Sequence, residues 1–171
     1  MINYNSIELG SGIVPYSKTA IKLDIVKKGS IDILADVRSL PFRDRVFEEV
    51  YASHLLEHFY KTEIKAVLQG ILRIMKVDAK FYSYQPDLEF ICKEFIENKQ
   101  FSKESLLVPL YGDSLVDHQE MSHKWGYTRT SLTKLFKEVG FMGIEIRDGR
   151  SSFQGLEFLI IGERGEFNSE R

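Results

Sequence analysis

Ser6-Ile7-Glu8-Leu9-Gly10-Ser11-Gly12 is the stretch on which the fold turns. A short apolar run stops at a Gly-x-Gly, which reads as a strand running into a tight loop. Glycine there permits positive φ and close approach of backbone to a ligand. Alone, such a pair is as readily an ordinary turn. The runs that follow add to it. Ala20-Ile21-Lys22-Leu23-Asp24-Ile25 and Ile31-Asp32-Ile33-Leu34-Ala35-Asp36 alternate, and Phe47 to Ala52 is a fourth strand-length run. Asp24 stands near the end of the second run and Asp36 at the end of the third. Three successive strands therefore set a carboxylate at or near one edge, and in open α/β sheets ligands bind beyond the carboxyl ends of the strands.

Further on the period changes. Ile64, Val67, Leu68, Ile71, Leu72 and Met75 follow helical spacing, with Thr62 as the expected N-cap. Ala79 to Tyr84 reads as a strand. Leu88, Ile91, Cys92, Phe95 and Ile96 form a second helical stripe behind Asp87 as N-cap, with Cys92 as a buried filler. Residues 99–126 read as irregular and polar. Leu132, Leu135, Phe136 and Val139 make a third helix closed by Gly140. Strands over Met142–Arg147 and Leu156–Ile161 complete the pattern. The short link from Asp148 to Gln154 suits a hairpin, so one of these two strands is expected to be antiparallel. Alternating strands and helices imply a mostly parallel sheet covered by helices.

The 171 residues are 43% hydrophobic and 28% charged, with a net charge of −2. This composition excludes a disordered chain and points to a single domain over 1–171, with a core of about 6–164 and a loose tail at 165–171. The charge runs at Arg43–Arg45 and Arg164–Arg171 read as solvated surface. One cysteine excludes a disulfide framework and cysteine-based zinc modules. No apolar run approaches the roughly 18 residues of a membrane span, and Met1–Ser6 lacks the pattern of a secretion signal. A soluble, cytoplasmic protein is expected. Near-neutral charge argues against nucleic acid, which demands a basic surface. A small-molecule partner is expected instead, and nothing in the sequence sets an oligomeric state.

Asp24 suits a ribose, since a carboxylate accepts two hydrogen bonds from vicinal hydroxyls. Asp36 with Val37 suits an adenine amino group and ring nitrogen, met through side chain and backbone. There is no phosphate-binding loop with its lysine. Glu8 beside the glycines would repel a pyrophosphate but suits a cation. The ligand read from these residues is nucleoside-like.

With these residues the chain resembles the class I S-adenosylmethionine-dependent methyltransferases. It is most similar to the small type 11-like family that joins a Leu-Gly-x-Gly start to Asp-Leu/Val-Arg-x-Leu-Pro-Phe and His-x-Leu-Glu-His segments. The matching stretches are Glu8–Gly12, Leu23-Asp24, Ala35–Phe42, Phe47–His58, His123–Tyr127 and Glu138–Phe141. The resemblance implies a Rossmann-like, mostly parallel seven-stranded sheet with one antiparallel strand, and S-adenosylmethionine as cofactor. By position it implies that Glu8, Gly10, Ser11 and Gly12 surround the methionine moiety. Asp24, with Ile25 beside it, would hold the ribose. Asp36 and Val37 would meet the adenine, with Arg38 and Leu40 nearby. Ser53 and His54 would line the pocket floor. Two departures stand out. Only seven residues, Pro15 among them, separate Gly12 from Ala20, which shortens the first helix, and Lys76-Val77-Asp78-Ala79 replaces the family's Lys-Pro-Gly-Gly turn.

His54-Leu55-Leu56-Glu57-His58 also matches H-x-x-E-H, whose two histidines ligate zinc when a long helix carries them. Here the motif directly follows a strand, so His54 is read as pocket lining, His58 as packing, and no metal is assigned. His118 and His123 lie in the irregular segment with Asp117, Glu120, Trp125 and Tyr127. That segment has the character of a substrate lid, with a histidine as general base and Trp125 and Tyr127 as an apolar or cation–π wall. His123 and Trp125 read equally well as loop anchors. The catalytic candidates are His54, His123, His118 and Tyr127. The expected function is methyl transfer to a small or medium-sized acceptor. The alternatives are a non-catalytic cofactor-binding or partner-binding module and, further off, a zinc hydrolase using His54 and His58.

Overall fold

A computed structural model describes residues 3–27, 29–97, 100–112, 122–150 and 155–166. His118, Asp117 and Glu120 lie outside the described residues. Seven strands, β1 (Asn3–Leu9), β2 (Ala20–Asp24), β3 (Ile33–Leu34), β4 (Phe47–Ser53), β5 (Met75–Pro86), β6 (Phe141–Asp148) and β7 (Glu157–Arg164), form one sheet in the order β3-β2-β1-β4-β5-β7-β6. β7 is antiparallel to both neighbours and all other pairings are parallel, as expected. The helices are α1 (Ile64–Ile74), α2 (Leu88–Glu97), α3 (Lys103–Tyr111) and α4 (Arg129–Val139), with 3₁₀ turns at Val37–Ser39 and Leu56–His58.

Strand alternation separates the two faces of the sheet. Ile7, Leu9, Leu23, Val50, Phe81, Phe158 and Ile160 point to one side and form a single core with Val67, Leu68 and Ile71 of α1 and Leu132 and Phe136 of α4. The other face carries polar groups, tyrosines and a smaller apolar cluster around Leu159 and Ile161. Across it the register sets Lys22, Glu8, Tyr51, Tyr82 and Ile161 side by side. Tyr51 and Tyr82 stack at 5.1 Å, and Tyr16 leans on Tyr51 and Tyr84 at 5.7 and 5.0 Å. Tyr16 belongs to the seven-residue link after Gly12, which carries no helix.

Several elements differ from expectation. α1 is preceded by Glu63, not Thr62, and has no side-chain cap bond. Glu63 instead accepts the Tyr60 N–H at 3.1 Å. β5 begins at Met75, directly on the end of α1, so Met75 belongs to a strand. The helix end, with its unpaired carbonyls, is closed from a distance: Arg164 Nη1 donates to the carbonyls of Leu72, Arg73 and Met75 at 2.7, 2.8 and 2.6 Å. A cation there also suits the helix dipole, so Arg164 is structural and not solvated surface.

Cys92 is exposed and Ile96 is 82% exposed, while Ile91 and Glu94 face inward. The rotation of α2 is set at its start. There the Leu88 N–H donates to the Tyr127 carbonyl at 3.1 Å, and Asp87 caps the Phe90 N–H at 3.3 Å while accepting from Arg129 at 2.8 Å. α3 occupies part of the segment read as irregular. Ser102 caps it, yet it buries only Leu106 and contains Pro109, so it has no amphipathic stripe to read.

Phe136 stacks on Phe81 and Phe141 at 5.8 and 4.7 Å and is fully buried. Phe136→Ala should therefore cost about 3–5 kcal/mol, read as a lower urea midpoint. A loss under about 1 kcal/mol would contradict this packing.

Candidate cofactor and acceptor site

The strand order reverses between β1 and β4, and the crevice beyond their carboxyl ends is where this class of sheet binds ligands. Gly10 and Gly12 have φ of 63° and 58°. The N–H groups of Gly10 and Ser11 donate to the Leu23 carbonyl at 2.8 and 3.2 Å. A Cβ on Gly10 would lie 2.7 Å from Leu55 Cδ1, so the loop closes directly over the turn after β4. Asp24 holds this loop: Oδ2 accepts the Gly12 N–H and Oδ1 the Val26 N–H, both at 2.9 Å. Ile25 beside it is 45% exposed. Ser11 is buried, and its hydroxyl has no partner among the described residues. A free polar atom in a glycine cradle fits a polar ligand.

Asp36 caps the Val37–Ser39 turn through the Arg38 N–H and takes the Arg38 guanidinium at 2.7–3.0 Å. That guanidinium holds its carboxyl below the usual range. The side chains of Val37 and Leu40 are buried in the core. Glu8 does not present a free charge either. It is buried, and its oxygens accept the N–H groups of Tyr16 and Ser17 at 2.7 and 2.8 Å. Burial raises its pKa against the pull of those bonds.

Ser53 ends β4 and His54 follows it, at the carboxyl edge of the sheet. His54 has a φ of 52°. Its Nε2 lies 2.8 Å from Glu157 Oε2 and its Nδ1 3.3 Å from Glu57 Oε1. Burial disfavours the imidazolium, but the two carboxylates outweigh it and raise the pKa to about 9. Arg150 grips Glu157 with its backbone N–H at 2.7 Å and its guanidinium at 2.8 Å, lies over the Tyr84 ring at 4.8 Å, and reaches Ser53 Oγ at 3.4 Å. Burial of Glu157 opposes its charge, but Arg150 and His54 prevail and hold its pKa at about 2. Arg150 and Glu157 had no local signal in the sequence, since they reach His54 across about a hundred residues of chain.

No helix carries His54 and His58. The 3₁₀ turn at Leu56–His58 sends His54 toward Glu157 and His58 toward His123, so the context of a zinc-peptidase motif is absent. Glu57, between them, is buried, and apart from the His54 Nδ1 contact at 3.3 Å its oxygens have no hydrogen-bond partner among the described residues. Its backbone carbonyl accepts the N–H groups of Lys124 and Trp125 at 2.7 and 3.1 Å. This brings the 122–127 segment onto a cavity of about 110 Å³ lined by Glu57, Ile91, Pro109, His123, Trp125 and Tyr127. The Tyr127 hydroxyl is also buried without a partner among the described residues. Burial and the Glu57 charge raise its pKa, so it stays protonated. Burial lowers the pKa of His123, whose Nδ1 lies 3.0 Å from the Pro109 carbonyl. The Lys61 ammonium sits 5.0 Å over the Trp125 ring. His123 and Tyr127 thus share one cavity, and Glu57, which lay inside the H-x-x-E-H motif, is the polar group overlooked there.

Residues 6–83, from β1 into β5, match the family described as a methyltransferase domain. No curated protein matches the sequence. Solved structures with the same fold include S-adenosylmethionine-dependent methyltransferases of Thermotoga maritima and Methanosarcina mazei. The first has 15% identity and a TM-score of 0.67 over 96% of this chain and 84% of that one. The second has 15% identity and a TM-score of 0.66 over 94% and 92%. Phosphoethanolamine N-methyltransferase 2 of Haemonchus contortus, solved with S-adenosyl-L-methionine, has 11% identity and a TM-score of 0.64 over 96% of this chain and 49% of that one.

The Glu157 contacts carry a pH signature. A carboxylate held at about 2 when folded and near 4.3 when unfolded stabilises the protein fully above the unfolded value. That contribution is lost as pH falls through the folded one. The urea midpoint of the wild type should fall as pH drops from about 4.5 to 2, and Glu157→Gln should flatten that slope. An unchanged slope in the variant would contradict the pairing.

The chain has the Rossmann-like methyltransferase fold.

Proposed function

We propose that the protein is an S-adenosylmethionine-dependent methyltransferase acting on a small or medium-sized acceptor. The observation that carries the reading is the coupling of the glycine loop to Asp24 at the switch point, where Gly12 N–H meets Asp24 Oδ2 at 2.9 Å. A carboxylate that already shapes the loop also has lone pairs left for two ribose hydroxyls. Ser11 offers its unpartnered hydroxyl to the methionine end, and Asp36 stands at the end of β3 for the adenine. The bound cofactor supplies the electrophilic methyl group. The chain's own work is alignment and exclusion of water.

The acceptor enters the cavity between Glu57, Trp125 and Tyr127. Its polar atoms call for a ligand with a donor for the Glu57 carboxylate and an acceptor for the Tyr127 hydroxyl. The apolar wall of Ile91 and Pro109 limits its size. A hydroxyl or amine on a compact molecule meets these demands, whereas a nucleic acid does not.

A cofactor-holding module without turnover is the second reading. It is favoured by His54, which is bound into Glu157 and Glu57 and so not left to act on an acceptor. Calorimetry with S-adenosylmethionine and its demethylated product tests both readings, and turnover of a panel of small hydroxyl and amine compounds separates them. Asp24→Ala should weaken binding of both cofactor forms at least about tenfold, or roughly 1.4 kcal/mol. Asp24→Asn, which keeps an acceptor for Gly12, should retain more. Unchanged affinity in Asp24→Ala would refute the ribose assignment.

A further inference from the structure

We propose that Glu57, His58 and His123 form a binding site for one divalent transition-metal ion of the zinc class. One ligand atom from each of the three residues lies within 4.8 Å of the others. The rings of His58 and His123 meet edge to face, with centroids 4.9 Å apart and planes at 83°. His123 Nε2 is 4.0 Å from Glu57 Oε1, too far for a hydrogen bond. Donors at about 2.0–2.2 Å from a shared tetrahedral zinc ion stand roughly 3.3–3.6 Å apart, so side-chain rotations that draw the three groups together by up to about an ångström complete the set.

The backbone orients both imidazoles. His58 Nδ1 lies 3.3 Å from the Ser122 carbonyl and His123 Nδ1 3.0 Å from the Pro109 carbonyl. A carbonyl oxygen only accepts, so each Nδ1 carries the proton and each Nε2 presents a lone pair. Histidine ligands of metals typically show this second contact.

The carboxylate supplies an independent observation. Glu57 is 1% exposed. Apart from the His54 Nδ1 contact at 3.3 Å, its oxygens have no hydrogen-bond partner among the described residues. The His54 imidazolium answers this charge on one side, and the carboxylate keeps lone pairs for a cation held between it and the two imidazoles.

The donor set names the ion. Two imidazoles and one carboxylate suit zinc and its transition-metal neighbours nickel and iron(II), whereas calcium and magnesium take oxygen ligands. Three protein ligands leave a fourth position open, and the cavity bordered by Glu57 and His123 lies beside it. The ion would clamp the segment around His123 to the turn after β4. This arrangement differs from the H-x-x-E-H pairing, because His123 replaces His54. It rests on the three side chains and not on the transferase reading, so it stands or falls separately.

The test uses the full chain, stripped with a chelator and titrated with zinc or cobalt alone near neutral pH. One equivalent of zinc should bind, raise the melting temperature, and give with cobalt the visible absorption of a four- or five-coordinate ion. Of the four histidines, two should shift their Nε2 nitrogen resonances while keeping Nδ1–H, namely His58 and His123. His58→Ala and His123→Ala should each weaken zinc binding at least about tenfold. Should either variant fail to fold, the wild-type nitrogen resonances decide. The proposal is overturned if the folded chain takes up no stoichiometric zinc. It is also overturned if both variants bind zinc as the wild type does, or if His54 shifts in place of His123.

Discussion

The antiparallel insertion of β7 between β5 and β6 is the constraint on which the functional edge depends. Because β7 runs against its neighbours, it begins where the parallel strands end. Glu157, its first residue, therefore pairs with Pro86 at the carboxyl edge of β5. From there its carboxylate reaches His54 at the end of β4 and is gripped by Arg150. One buried charge thus joins the start of β7 to the end of β4. At the other end of the same strand, Arg164 closes the C-terminus of α1.

The short link after Gly12 has a comparable effect on the opposite face. In place of a first helix, Tyr16 leans on the tyrosines of β4 and β5, and the N–H groups of Tyr16 and Ser17 occupy Glu8. An acid that charge alone assigns to a cationic ligand is drawn into holding the link. Asp24 can hold the loop and still offer lone pairs because it lies at the exposed end of β2, where solvent lowers the cost of its charge.

Much of the candidate site follows from local pattern. The glycines, Asp24, Asp36, Ser53 and His54 all stand at the carboxyl edge because each closes a strand whose alternation is visible in sequence. Val37 and Leu40 were legible as part of the same segment, but the 3₁₀ turn folds their side chains into the core. Glu57 illustrates the remaining gap. Within H-x-x-E-H it reads as the residue between two ligands, yet the strand before it ends in a left-handed His54 that breaks the helix the motif needs. The pairing of His58 with His123 depends on backbone contacts between distant segments, which no spacing encodes.

The sequence by itself determined the order of strands and helices, the parallel class of the sheet and the edge at which ligand-binding groups collect. Each of these depends on local periodicity and on where a glycine or carboxylate interrupts it. Only the tertiary structure decided which way α2 turns, where α3 forms, and which charges answer one another. Cys92 is exposed and Glu94 inward because Asp87, Tyr127 and Arg129 fix the start of α2. Glu157, Arg150, Glu57 and His123 acquire their environments from residues far away in the chain. A charge in low dielectric takes its state from its nearest neighbours in space, not from those in sequence.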